Sequence, residues 1–135
     1  MRILIFIALI TNLYSCKELK EVNVVKTPDA DSIKYTTISL KDIKTRLPQL
    51  DGIYVEAEGT FVNGYEEFSI HMDDGSNGIS YVWLELNDEL SKKNIDFKSL
   101  SNRKVRVRGQ LNAFNHGHMG SYLCTIEKIY YWRTL

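Results

Sequence analysis

Alternation of apolar and polar positions with a period of two runs through the second half of this 135-residue chain and predicts β-strands there. In residues 52–62, Ile53, Val55, Ala57 and Phe61 share one face, while Tyr54, Glu56, Glu58 and Thr60 share the other. Gly59 interrupts the apolar row, as expected where a strand bends sharply. After a turn at Asn63-Gly64, residues 67–72 alternate again, and 73–78 read as a turn by composition. Residues 79–86 are apolar on both faces, which predicts either a strand covered on both sides or one that supplies an exposed binding face. Asn87 and Asp88 open a segment to about Lys98 in which Leu90 and Phe97 keep helical spacing. Residues 104–111 form a further alternating strand, and 121–132 the last. Upstream, Ser39 can cap a short helix, with Asp42 three residues later and Leu40, Ile43 and Leu47 at helical intervals. Pro48 ends it, because the residue before a proline leaves the helical region.

The order is a short helix, three strands, a helix and two strands, with glycines inside the first and fourth strands. This predicts a mainly β protein, a five-stranded OB-fold-like small barrel with a helix between strands three and four. An SH3-like barrel lacks that helix, and a sandwich needs more strands.

The amino terminus adds a location. Met1-Arg2 precedes the apolar stretch from Ile3 to Ile10, which at this length matches a signal-peptide core and is too short to span a bilayer. Leu13-Tyr14-Ser15-Cys16 then looks like a bacterial lipobox, with Tyr14 bulkier than the usual residue. That resemblance implies cleavage before Cys16 and diacylglycerol on its sulfur. Residues 1–15 are therefore expected to be a lipoprotein signal peptide, 16–37 a flexible polar tether broken at Pro28, and 38–135 the folded domain. Lys17 stands where an aspartate would favour inner-membrane retention in some Gram-negative bacteria, which tilts the expectation towards the outer membrane.

Charge narrows the partners. Without Arg2 the mature chain holds 16 Lys and Arg against 17 Asp and Glu, so it lacks the strongly basic footprint of a nucleic-acid binder. With Cys16 given to the lipid, Cys124 is left alone on an apolar strand face, where a cysteine is a small core residue. The domain stands without a disulfide.

Several segments resemble a small family of bacterial secreted or lipid-anchored domains that carries no assigned activity. They are Ile38-Ser39-Leu40, residues 52–61, 66–70, 82–85 and 105–109, and the loop His116-Gly117-His118-Met119-Gly120, which is the most specific piece. The likeness covers about residues 38–132 and implies the fold and the extracytoplasmic address, not a reaction.

Candidate chemistry falls where an OB barrel meets its ligands, on strands two and three and the loops between strands one and two and four and five. Here those loops are 62–66 and 112–120, and they bring Tyr65, Glu66, Trp83, His116 and His118 forward as candidate ligand-binding residues. His116, His118 and Glu66 could also ligate zinc with a position open for water, and that is the alternative reading, a metal-dependent envelope enzyme. Glycines shaping a turn with solvent-facing histidines account for the same loop without a metal. His71 reads as an exposed strand residue. Tyr65, Tyr81, Trp83, Phe114, Tyr122, Tyr130, Tyr131 and Trp132, with the basic row Arg103, Lys104, Arg106 and Arg108, could suit single-stranded nucleic acid. The basic row alternates with valines, however, and Glu56 and Glu58 lie on the strand expected to pair with it, so cross-strand ion pairs explain it better. No Gly-x-Ser-x-Gly, Walker loop, Cys-x-x-Cys or His-Glu-x-x-His motif is present. The expectation is a non-enzymatic, lipid-anchored envelope module that takes a small ligand or another envelope protein and needs no cofactor.

Overall fold

The computed structural model describes residues 24–78 and 80–135, so the expected signal peptide, Cys16 and residues 16–23 lie outside the described residues. The protein is mainly β, with seven strands in one sheet among the described residues. They are β1 (Val24–Lys26), β2 (Thr36–Thr37), β3 (Tyr54–Gly64), β4 (Glu67–His71), β5 (Tyr81–Leu86), β6 (Lys104–Asn112) and β7 (Thr125–Thr134). Three short helices accompany them: α1 (Leu40–Arg46), α2 (Asp88–Ser91) and α3 (Phe97–Leu100).

The five longer strands form a closed circuit of pairings. β3 pairs with β4 and β6, β4 with β5, β5 with β7, and β7 with β6. All are antiparallel except β5 with β7, which run parallel. β3 serves two neighbours along its length, residues 54–60 pairing with β6 and 60–64 with β4. Gly59 lies at the changeover, where a Cβ would stand 2.7 Å from the His71 carbonyl oxygen, so a side chain there would push β4 away. Gly109 does the same on β6, opposite a register shift in which Lys128 takes a positive φ of 49°.

One face of each strand fills the interior. Val55, Ala57 and Phe61 of β3, Ile70 of β4, Val82 of β5 and Val105 and Val107 of β6 are fully buried, as the alternation predicts. Trp132 of β7 sits at the centre, with ring centroids 4.7 Å from Phe61 and 5.2 Å from Phe97 in edge-on contacts. It is therefore a core residue and no part of an exposed aromatic surface. Ile53, expected inward, is more than a third exposed, because the chain is still turning there and its N–H bonds the Leu50 carbonyl.

On the opposite face of β3 and β6 the register sets Glu56 against Arg108 and Glu58 against Arg106. The Arg108 Nε donates to Glu56 at 2.6 Å and the Arg106 Nε to Glu58 at 2.7 Å. Arg106 and Arg108 of the basic row are thus engaged within the sheet, as the sequence indicates.

α1 begins with a reciprocal capping box. The Asp42 N–H donates to the Ser39 hydroxyl at 3.2 Å, and the Ser39 N–H to the Asp42 carboxylate at 2.8 Å. Two expectations need correction. Residues 24–37 belong to the sheet rather than to a free tether: β1 pairs with residues 131–133, β2 runs parallel to β3, and Val25 and Ala30 are buried. The single helix expected between β5 and β6 is two separate turns, each with its own cap: the Asn87 side chain accepts from the Leu90 N–H, and Asp96 from the Ser99 N–H. Among the described residues no helix is long and apolar enough to cross a membrane.

Candidate functional site

The pleat of β4 and β5 turns Ser69, His71, Tyr81, Trp83 and Glu85 away from the core. Cα pairing sets Ser69 beside Trp83 and His71 beside Tyr81. The His71 and Tyr81 rings lie 4.9 Å apart at 32°. Tyr122, from the loop between β6 and β7, brings its ring within 4.9 Å of Trp83. Four rings therefore form a row on an outer sheet face, in the strand whose two apolar faces signalled exposure or double cover. The loop supplies part of that cover.

This loop is seated by its backbone. Gly117 adopts φ 64° and ψ −159°, and a Cβ there would fall 2.6 Å from Trp83 Cβ and 2.8 Å from the Tyr122 ring. Only glycine lets the chain lie this close to the indole. Behind it, the Asn112 side chain accepts from the Phe114 and Asn115 N–H groups at 3.1 and 3.0 Å and donates to Glu127 at 2.8 Å. The Asn115 side chain accepts from the Gly117 N–H at 3.0 Å, and the Thr125 hydroxyl donates to the Asn115 carbonyl at 2.9 Å.

The two histidines of the loop have separate duties. His116 Nδ1 lies 3.1 Å from the Tyr122 carbonyl oxygen and 3.2 Å from that of Leu123. Both partners can only accept, so Nδ1 carries the proton and the ring closes the loop on itself. His118 instead reaches out across the face, and its Nε2 meets the Glu66 carboxylate at 3.1 Å. Its ring also tilts over Trp83, 6.4 Å between centroids. The loops at 62–66 and 112–120 are thereby joined, as expected, by His118 and Glu66. His116 does not join them, so the zinc set of His116, His118 and Glu66 is not assembled. Among the described residues no three His, Cys, Asp or Glu side chains are grouped to hold a metal ion.

The remaining candidates separate by exposure. Tyr65 is 93% exposed at the tip of its turn, while Phe114 and Met119 stand out from the other loop at 72% and 85%. Trp83 is half-buried under Gly117. Burial pushes the Tyr122 hydroxyl above its ordinary value, and the nearby Glu67 carboxylate and Tyr81 add to the shift. Cys124 is fully buried, and that burial pushes its thiol up to about 12, which leaves it inert as a nucleophile at neutral pH.

Sequence reasoning missed a groove of about 530 Å³ beyond Glu85, lined by Glu85, Asn87, Asp88, Glu89, Glu127 and Tyr130, among others. Its carboxylates come from β5, α2 and β7, which no local motif links. Tyr122 and the His71–Tyr81 pair were also passed over as site residues. Their only signal was phase, since 71, 81 and 83 fall on the outer parity of their strands.

No protein-family model matches the chain, and no curated protein matches it. Among solved structures it is similar to a protein described as an aspartyl-tRNA synthetase from Leishmania major Friedlin, with a TM-score of 0.48 and 17% identity. The match covers 81% of this chain and 23% of that one, so this chain spans less than a quarter of the synthetase's length.

Proposed function

We propose that the protein is a lipid-anchored binding module of the bacterial cell envelope, built on an OB-like five-stranded barrel, that holds a ligand or partner on the outer face of β4 and β5. The closed circuit of pairings, the parallel contact of β5 with β7 and the helical turns between β5 and β6 support the barrel. One observation carries the binding reading. A loop fixed by Gly117, His116 and two asparagines is laid against Trp83 and reaches Glu66, framing a row of rings that remains open at Tyr81. A plain connector needs no such fastening.

The charged start, apolar core and lipobox-like end of residues 1–16 support the anchor, and Lys17 favours the outer membrane. The test uses the membrane-bound chain. A photo-crosslinking phenylalanine analogue at position 81 gives a discrete adduct, whereas the same group at position 41, exposed on α1, gives none. Equal adducts from both positions refute the site. Labelling by a fatty-acid analogue disappears in Cys16→Ser, and unchanged labelling refutes the anchor.

A further inference from the structure

We infer that the occupant of this face is a lysine- or arginine-bearing segment of a partner polypeptide, held by carboxylates along its length and by ring faces at its centre. The inference rests on the binding reading above and names the chemistry of its ligand. The chain as a whole is neutral, with 17 basic and 17 acidic residues. The segments that build the face are not: residues 64–71, 81–86 and 113–124 contain Glu66, Glu67 and Glu85 and not one Lys or Arg. The cations Arg106 and Arg108 of β6 are held by Glu58 and Glu56 on β3. A nucleic-acid strand would bring phosphates up to these carboxylates, so charge opposes it.

The rings supply the second half of the recognition. An ammonium or guanidinium within about 6 Å of an indole or phenol face is attracted by its quadrupole. The protein already uses this contact internally, with the Arg108 guanidinium 4.3 Å over Tyr131 and 5.4 Å over Tyr35. On the β4–β5 face the parts of Trp83, Tyr122 and Tyr81 not covered by Gly117, His118 and His71 offer the same surface, with no Lys or Arg of their own segments to fill it. Length argues for a polypeptide rather than a single amine. Glu66 and Glu67 stand at one border of the ring row, and Glu85 continues it into the groove, where Asp88, Glu89 and Glu127 outnumber the one cation, Lys128, whose ammonium donates to the Gln110 side chain. One cation satisfies one of these positions, whereas an extended chain with several spans them.

The experiment follows the fluorescence of the intact, detergent-purified chain, in which Trp132 is wholly buried and Trp83 is the half-buried indole of the β4–β5 face. Hexalysine perturbs the emission saturably, and fully acetylated hexalysine does not. Binding weakens as ionic strength rises from about 0.01 to about 1 M and the Debye length shrinks from about 30 to about 3 Å. The combined change Glu66→Gln, Glu67→Gln and Glu85→Gln weakens it about tenfold or more. Labelled hexalysine also loses about tenfold on Trp83→Leu, with its salt dependence unchanged, as removal of a ring contact requires. Binding that survives Trp83→Leu undiminished overturns the inference. Equal binding of the acetylated peptide, of oligothymidylate or of a neutral oligosaccharide overturns it too, while leaving the binding face itself intact. Silence from every probe also overturns it, and the adduct at position 81 then decides the binding reading separately.

Discussion

Replacing Gly117 by alanine tests whether the β6–β7 loop is held as described. The residue occupies a backbone region that is essentially glycine-only, and holding an L-residue there costs about 1–3 kcal/mol. The added methyl would stand 2.6 Å from Trp83 Cβ, which the backbone fixes whatever the rotamer, and 2.7 Å from its Cγ. Overpacking of that kind costs a further 1–3 kcal/mol or so where the neighbours cannot move. The two costs do not simply add, because the loop can lift away and release both. Its departure surrenders the His116 bonds to the Tyr122 and Leu123 carbonyls, each worth about 0.5–1.5 kcal/mol, and the exposed His118–Glu66 contact, worth less than about 0.5 kcal/mol. The expected loss is therefore about 2 kcal/mol, or about 8 °C in Tm at roughly 4 °C per kcal/mol for a domain of this size. Thermal unfolding followed by circular dichroism measures it. Two local readings accompany it: a red shift in Trp83 emission, and faster exchange of the Tyr122 and Leu123 amides, which now donate to the His116 and Tyr81 carbonyls at 3.0 Å. A variant that melts within about 2 °C of the parent, with the same emission and exchange, refutes the seating.

Val107→Asp places an unpaired charge at a fully buried position of β6 and prevents folding, whereas Cys124→Ala costs only about 1 kcal/mol; equal melting temperatures for the two would overturn the register. The buried Cys124 thiol, raised to about 12, also resists alkylating reagents until the chain unfolds, so rapid labelling of native protein would contradict its place. His116→Ala lowers stability by about 1 kcal/mol through two orphaned carbonyls, while His118→Ala changes it by less than about 0.5 kcal/mol; the reverse order would interchange their duties. The Ser76 hydroxyl and N–H, followed by the Lys44 ammonium, hold the Asp74 carboxyl down to about 2 from its ordinary 3.8. A depressed carboxylate contributes stability above the higher value and loses it as pH falls towards the lower, so Ser76→Ala should move the titration of Asp74 upwards in a carboxyl NMR experiment. An unmoved midpoint would remove Ser76 as the cause.

How far the sequence disclosed this molecule depended on the range of the forces involved. The α1 cap was legible because Ser39 and Asp42 satisfy each other within one turn. The ion pairs of β3 and β6 were legible because period-two alternation puts Glu56, Glu58, Arg106 and Arg108 on outer faces, leaving register as the one unknown. Trp132 was misjudged because it was grouped with the surface aromatics by residue type, although counting by two from the buried Ile126 already places it on the inner face. β1 and β2 were missed because three and two residues are too few to show a period, and they pair only with strands distant in sequence. In the site, the meeting of His118 with Glu66 followed from topology. The withdrawal of His116 did not, because it depends on where two carbonyls of its own loop point.

In the lipid-anchored state proposed above, the short strand β1 would give the chain a mechanical character. Any pull along residues before Val24 acts first on three residues paired to β7, fastened by the Thr27 N–H to the Tyr130 carbonyl at 2.9 Å and by the Lys93 ammonium to the Lys26 carbonyl at 2.7 Å. That clasp is far smaller than the closed circuit behind it, so it yields before β3 to β7 are disturbed. Peeling residues 24–37 from the sheet lengthens the leash by up to about 45 Å, at about 3.3 Å per residue. The domain would then answer tension by extending its reach while its binding face stays folded.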